Sequence, residues 1–263
     1  MILSSWVAHG HVGLSAAQPA LQLLGHQVTA LPTVMLSNHK AWPHCAGDAV
    51  PVADLSAMLA AIKANGWLET VTAILIGYLP SPDHVAFAAQ VISAAPDAAH
   101  IVIDPVLGDD PGGLYVGEDI GRAVRATLIP RAQTLTPNRF ELAWLTGMPA
   151  NDLRASVRAA QTLAPATIHV TSPPLDTGQT GVLTIGNGEP TVHCHPTHAN
   201  IPKGTGDVFS ALIAAGQAPG TALGHLEALI KASTGLQHLA LVESAPSWTM
   251  AKPISAKEPI DGI

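Results

Sequence analysis

The stretch Lys203-Gly204-Thr205-Gly206-Asp207-Val208-Phe209 leads into an apolar run, Ser210 to Gln217, that has the composition of a buried helix. Glycines let a ligand approach the backbone closely, and the first N–H groups of a helix have no partner within it. The stretch therefore predicts an anion site of phosphate size at a helix start. Asp207 would repel an anion there unless it takes a proton from the attacking group, which indicates phosphoryl transfer to a hydroxyl. A plain turn with Asp207 as helix cap is the alternative.

Composition favours one large, well-buried α/β domain. The chain has 263 residues, of which 12% are charged and 48% are apolar. Charged residues make up about 25% of an average protein, so extensive burial and an apolar self-association face are expected. The net charge of −7 and the lack of a basic cluster argue against a nucleic-acid partner.

Nothing in the sequence indicates a membrane segment or a signal peptide. No apolar run has the length of a membrane span, and residues 1–6 lack the basic region of a signal peptide. Two cysteines, Cys45 and Cys194, are too few for a disulfide framework and are expected to be free thiols. We therefore expect a cytoplasmic protein without a membrane partner.

Strand-like runs alternate with runs of helical spacing along most of the chain. We predict strands at residues 2–8, 28–36, 71–76, 101–103, 133–135 and 167–171, and helices at 15–24, 55–64, 85–94, 120–128, 153–163 and 221–242. Ser15 is the expected cap of the first helix, and Asn187-Gly188 predicts a hairpin between 180–185 and 190–195. The alternation predicts an α/β fold with a mostly parallel central sheet and helices on both faces.

Three acidic residues, Asp104, Asp109 and Asp110, directly follow a predicted strand. Ligands bind beyond the carboxyl ends of strands in open α/β sheets, so these carboxylates are expected to share a crevice with the glycine stretch. Carboxylates beside a phosphate site indicate Mg²⁺. A solvated acidic turn is the alternative interpretation.

Two further polar groups each allow two interpretations. Thr136 or Asn138 can cap the next helix, and Glu141 either stabilises the first turn of that helix or reaches the metal. The histidine-rich segment consists of His193, Cys194, His195 and His198 and suggests zinc. Because strand alternation places His193 and His195 opposite Cys194, one shared metal would require a bulge, and we do not predict it.

Several separated motifs occur in an order and spacing that are typical of one known family. They are Gly10-His11-Val12-Gly13, Ala16-Ala17, Leu21 to Gly25, Ser37-Asn38-His39, Gly77-Tyr78, Asp104 to Asp109, Thr136-Pro137-Asn138 with Glu141, and Gly204 to Asp207. Through them, residues 2–242 resemble a pyridoxal kinase, from the vitamin kinase branch of the ribokinase-like superfamily. The resemblance implies a three-layer α/β/α fold with one kinase domain over residues 1–243, followed by a proline-containing tail, 244–263, whose order we do not predict.

The resemblance also implies a reaction and its partners. The γ-phosphoryl group of ATP would be transferred to the 5′-hydroxymethyl group of pyridoxal, and of pyridoxine and pyridoxamine, in vitamin B6 salvage. Mg²⁺, a monovalent cation (K⁺ or Na⁺) and a homodimer are implied as well.

Matching positions in this chain carry the family's site residues. Asp207 resembles the catalytic base, and Gly204, Thr205 and Gly206 resemble the anion hole. Ser5, His39 and Tyr78 match positions that line the pyridoxal pocket. With Asp207, and with Lys40 at a position where the chain departs from the family, they are the expected substrate-binding residues. Asp109 and Glu141 match positions that serve Mg²⁺, and Asp104 and Thr136 match positions near the monovalent cation and the phosphates. ATP-binding positions are Asp104, Tyr115, Asn138, Thr171 and Thr205.

The chain departs from the family pattern at two positions. Leu14 stands where the family commonly has Asn, and Lys40 stands where it usually has Thr. Lys40 could pair with the phenolic oxygen of the vitamin or condense with its aldehyde, or it could be a surface lysine. Asp207 favours a pyridoxal kinase over the similar hydroxymethylpyrimidine kinases, which often have Cys there. A vitamer-binding protein without turnover is a third possibility, against which the complete set Asp207, Asp109 and Glu141 speaks.

Overall fold

The computed structural model describes residues 1–257, with eleven strands and nine α-helices in that range. The strands are β1 (Ile2–Val7), β2 (Ala30–Leu36), β3 (Gly47–Ala49), β4 (Ala73–Ile76), β5 (His100–Ile103), β6 (Gly108–Asp109), β7 (Gly113–Leu114), β8 (Thr134–Leu135), β9 (Thr167–Thr171), β10 (Gln179–Ile185) and β11 (Thr191–Pro196). The helices are α1 (Leu14–Leu23), α2 (Val52–Ala64), α3 (Pro82–Ala94), α4 (Glu118–Ala123), α5 (Arg139–Thr146), α6 (Leu153–Ala160), α7 (Thr205–Ala214), α8 (Pro219–Ser233) and α9 (Ala245–Trp248).

Nine of the strands form one sheet in the order β11-β10-β9-β8-β5-β4-β1-β2-β3. The strands from β9 to β2 in that order run parallel. At one edge β10 pairs antiparallel with both β9 and β11, and at the other edge β3 pairs antiparallel with β2. Strands β6 and β7 form a separate small hairpin. The mostly parallel sheet and the hairpin of β10 and β11 confirm the sequence predictions.

Side chains that alternate along the strands face two separate apolar layers. In β4, Ile74 and Ile76 pack with α2 to α6, whereas Leu75 packs with α1, α7 and α8 on the other face. Successive strand residues point to opposite faces of the sheet, so one strand contributes apolar side chains to both layers. The resulting arrangement of helices, sheet and helices confirms the three-layer α/β/α fold.

Two predicted boundaries were wrong. The helix predicted at 221–242 ends at Ser233, and Gly235 has a left-handed backbone with φ of +77°. The chain turns there and returns Leu239 and Leu241 to the apolar layer of α7 and α8. Ser15 lies inside α1 instead of capping it, and its hydroxyl group donates to Val7 O (2.7 Å) and accepts from Val7 N (3.0 Å). That pair of bonds fixes α1 to the end of β1.

The segment after residue 243 packs onto the domain up to residue 257. Trp248 in α9 is fully buried and donates from its ring N–H to Leu241 O (2.8 Å). Ile254 N donates to Gly220 O (2.9 Å), and Ala256 forms an antiparallel bridge with His193. The last six residues of the proposed tail lie outside the described residues. Among residues 1–257, none of the helices combines the length and the apolar character needed to cross a bilayer.

Candidate active site

A cavity of about 1020 Å³ opens where the parallel strands end. It is lined by every residue that the sequence predicted for the site: Ser5, His39, Lys40, Tyr78, Asp104, Asp109, Tyr115, Thr136, Asn138, Glu141, Thr171, Gly204, Thr205, Gly206 and Asp207. The lining residues come from the ends of six parallel strands and from the start of α7, and this is where open α/β sheets bind ligands.

The start of α7 leaves a group of backbone donors facing the cavity. Gly204, at the N-cap, has φ of +108°, and a Cβ there would lie 2.0 Å from His11 O. No side chain caps α7, and its first internal bond runs from Val208 N to Gly204 O (3.1 Å). The N–H groups of Thr205 and Gly206 therefore precede the internal ladder and stay free, while the N–H of Asp207 bonds to its own carboxylate. A helix start of this kind suits an anion.

Gly206 lines the cavity next to these N–H groups. A Cβ built on Gly206 would meet no heavy atom within 4 Å, so it would project into open space. Neither packing nor a left-handed backbone requires glycine there. The absence of a side chain keeps the cavity open next to the free N–H groups.

Asp207 presents its carboxylate at the same helix start. Burial raises the pKa of Asp207 to about 6, although hydrogen bonds from its own N–H and from Gly13 N–H favour the charged form. A carboxylate with a pKa near the working pH is suited to general base catalysis. Position and pKa together suit Asp207 to act as a base beside the free N–H groups of α7.

Asp104 lies in the same cavity as Asp207, at the end of β5, and is buried. Burial and the nearby charges of Glu141 and Asp207 hold its pKa well above the ordinary value, despite a hydrogen bond from Ser210. Ser210 Oγ lies 2.9 Å from Asp104 Oδ2 and 2.8 Å from Thr136 Oγ1. Carboxylates gathered in this way are expected to bind protons or cations.

Glu141 joins the loop after β5 to the start of α5. Its Oε1 accepts from Leu107 N (2.8 Å) and Gly108 N (3.4 Å), and its Oε2 accepts from Asn138 N (2.8 Å). Asn138 Oδ1 accepts in return from Glu141 N (2.9 Å), which forms a complete capping box. Asn138 is thus confirmed as the cap. Burial raises the pKa of Glu141 to about 7, while the three backbone bonds oppose the rise. Contact of Glu141 with a metal stays a prediction.

The loops after β1, β2 and β4 form one end of the cavity. Gly13 approaches Ser5 so closely that a Cβ on Gly13 would lie 2.2 Å from Ser5 Oγ. The backbone of Tyr78 is fixed by bonds from Thr33 Oγ1 to its oxygen (2.7 Å) and from its N–H to Ser4 Oγ (3.2 Å). These contacts position the predicted substrate residues Ser5 and Tyr78.

His39 completes this end with a neutral imidazole. Its Nδ1 lies 3.1 Å from the N–H of Ala41 and accepts from it. Burial, and secondarily the charge of Lys203, lower the pKa of His39. The ring therefore carries its proton on Nε2 at neutral pH, where it can donate to a ligand oxygen.

The other end of the cavity is built by the loop after β5, the hairpin of β6 and β7, and the start of α5. Asn138 Nδ2 donates to Gly108 O (2.7 Å), and Asn138 is bridged to Thr171. Burial and a hydrogen bond with Asp109 raise the pKa of Tyr115, whose side chain is half exposed. These contacts bring the predicted ATP-binding residues together.

Comparison with known proteins shows the family to which the chain belongs. The family model described as phosphomethylpyrimidine kinase matches residues 26–246. A Bordetella avium protein named pyridoxine/pyridoxal/pyridoxamine kinase is 35% identical over 266 residues, covering 95% of this chain and 88% of the relative. The chain belongs to the pyridoxal kinase family of the ribokinase-like superfamily.

Solved structures of pyridoxal kinases have the same architecture. The Leishmania donovani pyridoxal kinase in complex with ADP and pyridoxine superposes with a TM-score of 0.87 at 30% identity, covering 96% of this chain and 97% of that one. The Entamoeba histolytica pyridoxal kinase reaches a TM-score of 0.89 at 22% identity over 97% of both chains. The latter similarity is evidence for the fold.

The two departures from the pyridoxal kinase pattern have different surroundings. Leu14 is buried in the apolar layer shared by α1, α7 and α8, so the change at this position is a change in the core. Lys40 is exposed and lines the cavity next to His39. Only the second departure therefore places a different chemical group in the cavity.

Two residues of the cavity region were missed by the sequence prediction. Lys203 Nζ lies 3.6 Å from Asp109 Oδ2 and lowers the pKa of His39, so its charge lies between the two ends of the cavity. Ser210 connects Asp104 to Thr136. Lys203 was visible beside the glycine stretch, whereas Ser210 is hidden in an apolar helical run.

Proposed function

We propose that this chain transfers the γ-phosphoryl group of ATP to the 5′-hydroxymethyl group of pyridoxal, and also of pyridoxine and pyridoxamine, in vitamin B6 salvage. One observation carries the proposal: Asp207 and the free N–H groups of α7 line the same cavity as the acidic residues Asp104 and Asp109. The reaction needs a base at the acceptor hydroxyl and positive dipoles at the transferred group, and the cavity holds both.

Asp207 acts as the base in this proposal. It takes the proton of the acceptor hydroxyl as the oxygen bonds to the γ-phosphorus, and the bond to the ADP oxygen breaks. The N–H groups of Thr205 and Gly206, beside Gly204, stabilise the charge on the transferred phosphoryl group. The Nζ of Lys203 lies 3.6 Å from Asp109 Oδ2, and its positive charge would also stabilise the transferred phosphoryl group.

We propose that cations balance the acidic side of the cavity. The buried carboxylates of Asp104 and Glu141, both with raised pKa values, form an oxygen donor set that fits a hard cation. Asp109 and Glu141 would serve Mg²⁺, and Asp104 and Thr136 would lie near a monovalent cation, K⁺ or Na⁺, and the phosphates. Bound Mg²⁺ would neutralise charge on the phosphate groups.

In this proposal, one end of the cavity binds the vitamer and the other end binds the nucleotide. Ser5, His39, Lys40 and Tyr78 would surround the vitamer, whose hydroxymethyl group would then face Asp207. The nucleotide would lie along Tyr115, Asn138, Thr171 and Thr205, with Asp104 at its phosphates. This division is supported by the positions of the two groups at opposite ends of one cavity.

A homodimer is also part of the proposal. Trp6 and Met35 are register partners on the neighbouring strands β1 and β2, and both side chains are exposed. Neighbouring exposed apolar side chains are a common feature of self-association faces. We also propose a cytoplasmic location, which suits the free thiols Cys45 and Cys194.

The decisive experiment offers four acceptors in parallel to the purified protein with ATP and Mg²⁺. We expect phosphorylated products from pyridoxal, pyridoxine and pyridoxamine, detected by mass spectrometry and by ADP release. Binding of the vitamers without ADP release would instead identify a vitamer-binding protein.

Hydroxymethylpyrimidine is the fourth acceptor because a second function has support. The matching family model is described as phosphomethylpyrimidine kinase, and a putative phosphomethylpyrimidine kinase from Bacteroides thetaiotaomicron superposes with a TM-score of 0.86 at 26% identity. A kcat/KM for hydroxymethylpyrimidine that exceeds the value for every B6 vitamer would favour that function.

A further inference from the structure

Three side chains of types that commonly bind metals lie close together outside the cavity, between the sheet edge and α8. His195 is near the end of β11, His198 follows in the next loop, and Glu227 belongs to α8. One ligand atom from each residue lies within 4.8 Å of the corresponding atoms of the other two. Helix α8 packs against β11, which brings these distant parts of the sequence together.

The two histidines have ring nitrogens available for a ligand. His195 is buried, and its Nδ1 lies 2.8 Å from Pro196 O, so this nitrogen carries the proton and Nε2 keeps its lone pair. Metal-binding histidines are commonly oriented by such a bond to a carbonyl oxygen.

His198 contains the unexplained polar atom of the cluster. Its Nε2 is buried and has no hydrogen-bond partner among residues 1–257. The nearest carboxylate oxygen, Glu227 Oε1, is 3.9 Å away, which is beyond hydrogen-bond distance. A buried nitrogen without a partner loses its hydration without compensation, and a metal ion would supply the missing partner.

We propose that His195, His198 and Glu227 bind one divalent transition-metal ion of the Zn²⁺ type. Two imidazole nitrogens and one carboxylate oxygen form a donor set that Zn²⁺ uses, with a water molecule at the fourth position. Mg²⁺ prefers oxygen ligands alone, so this site and the acidic side of the cavity would select different ions.

The third ligand comes from a helix and not from the strand. Alternation along β11 turns Cys194 away from His195, and α8 supplies Glu227 in its place. Lys231 Nζ lies 2.9 Å from Glu227 Oε1 and competes with a metal for it, but the Lys231 side chain is 57% exposed and can move away. A bound ion would tie the loop that leads from β11 to Gly204 onto α8.

The test is a titration of untagged protein with Co²⁺, which reports its geometry by visible absorption. We expect one equivalent of Co²⁺ to give the intense visible bands of a four-coordinate site. Added Zn²⁺ should abolish these bands, and excess Mg²⁺ should leave them unchanged. His198→Ala and Glu227→Gln should each weaken Co²⁺ binding by at least about tenfold, because even the loss of an outer partner costs that much. His26→Ala, which removes an exposed histidine elsewhere, should bind like the wild type.

A gain-of-affinity variant makes the test independent of folding defects. Lys231→Met removes the competing charge and should tighten Co²⁺ binding, and thermal unfolding of the metal-free proteins should show that all variants fold. The proposal is overturned if wild-type protein gives no such bands, or if His198→Ala and Glu227→Gln bind Co²⁺ as the wild type does.

Discussion

Asp207 is the residue on which the proposed chemistry depends. We expect Asp207→Ala to lower kcat by about 10² to 10⁴, the usual contribution of a general base, while ATP affinity changes little. The side chain lines the cavity and is not part of the apolar layers, so the variant should fold. Steady-state kinetics and calorimetric titration with ATP measure the two effects separately.

Asp83→Ala is the matched control for this variant, because Asp83 is an exposed aspartate in the first turn of α3. It should retain the wild-type kcat. Near-normal turnover by Asp207→Ala would exclude Asp207 as the base.

The pKa of Asp207 also predicts the acidic limb of the pH profile. Burial raises this pKa to about 6, and a base works only when it is deprotonated. We therefore expect kcat/KM for the vitamer to rise about tenfold per pH unit below pH 6 and to level off above it, since this ratio reports the free enzyme. The residual rate of Asp207→Ala should lack this limb. A wild-type profile that is flat between pH 5 and pH 7 would contradict the assignment.

At the scale of the element, the start of α7 offers a matched pair of glycine substitutions. Gly204→Ala should destabilise the protein by about 1–3 kcal/mol, because its φ of +108° is unfavourable for alanine and its Cβ would collide with His11 O. Gly206→Ala should preserve the melting temperature, since its Cβ meets nothing within 4 Å. We nevertheless expect about tenfold or greater loss of kcat/KM for ATP, because the methyl group would enter the space that we propose for the phosphate.

Thermal unfolding and steady-state kinetics on both variants separate the two roles. Full activity of Gly206→Ala would show that no phosphate group approaches this part of the helix. Equal melting temperatures for the two variants would contradict the steric argument at Gly204.

The loop after β5 and the start of α5 form a unit through Glu141. Glu141→Ala leaves three buried or partly buried N–H groups without their acceptor, so the free energy of unfolding should fall by about 1–3 kcal/mol. Chemical denaturation measures the change. Glu118→Ala removes an exposed first-turn carboxylate from α4 and should change the free energy by less than about 0.5 kcal/mol. An equally small effect at Glu141 would show that these bonds add little stability.

The elements themselves could be predicted because apolar periodicity is a local signal. The strands and helices of the parallel sheet were found in the right order, and Asn138 was a recognisable cap. The end of α8 was missed because residues 236–242 continue the apolar pattern, although Gly235 turns the chain. Ser15 resembles a cap in sequence, but its hydroxyl group is bonded to Val7, a contact that depends on how α1 packs against β1.

Those residues of the candidate site that lie at strand ends or in recognisable motifs could be predicted from the sequence. All fifteen predicted residues line one cavity, because parallel strands bring their carboxyl ends to one edge of the sheet. Contacts between distant residues could not be predicted in this way. Ser210 is 106 positions from Asp104, and Glu227 belongs to a helix whose pairing with β11 the sequence does not encode locally.

At the scale of the whole molecule, α7 couples the cavity to the core. Its first turn presents Asp207 and the free N–H groups, and the following turns bury Phe209 and Leu212 between α1 and α8. Ser210 in the same helix holds Asp104 at the end of β5. Asp207 and the acidic residues near it are therefore held at fixed positions by one helix and the sheet, which would favour catalysis by positioning.

The exposed pair on β1 and β2 makes the proposed dimer testable. Trp6 is 36% exposed and Met35 is 49% exposed, and the two are direct register partners. We expect light scattering after size exclusion to give the mass of two 27.0 kDa chains for the wild type. Met35→Glu should give monomers, because a dimer would bury two interface charges without partners. The fold of the chain should not change, because the Met35 side chain is exposed. Met250→Glu, at a side chain that is 81% exposed elsewhere, should remain a dimer. A monomeric wild type, or a dimeric Met35→Glu, would mean that this face is not the interface.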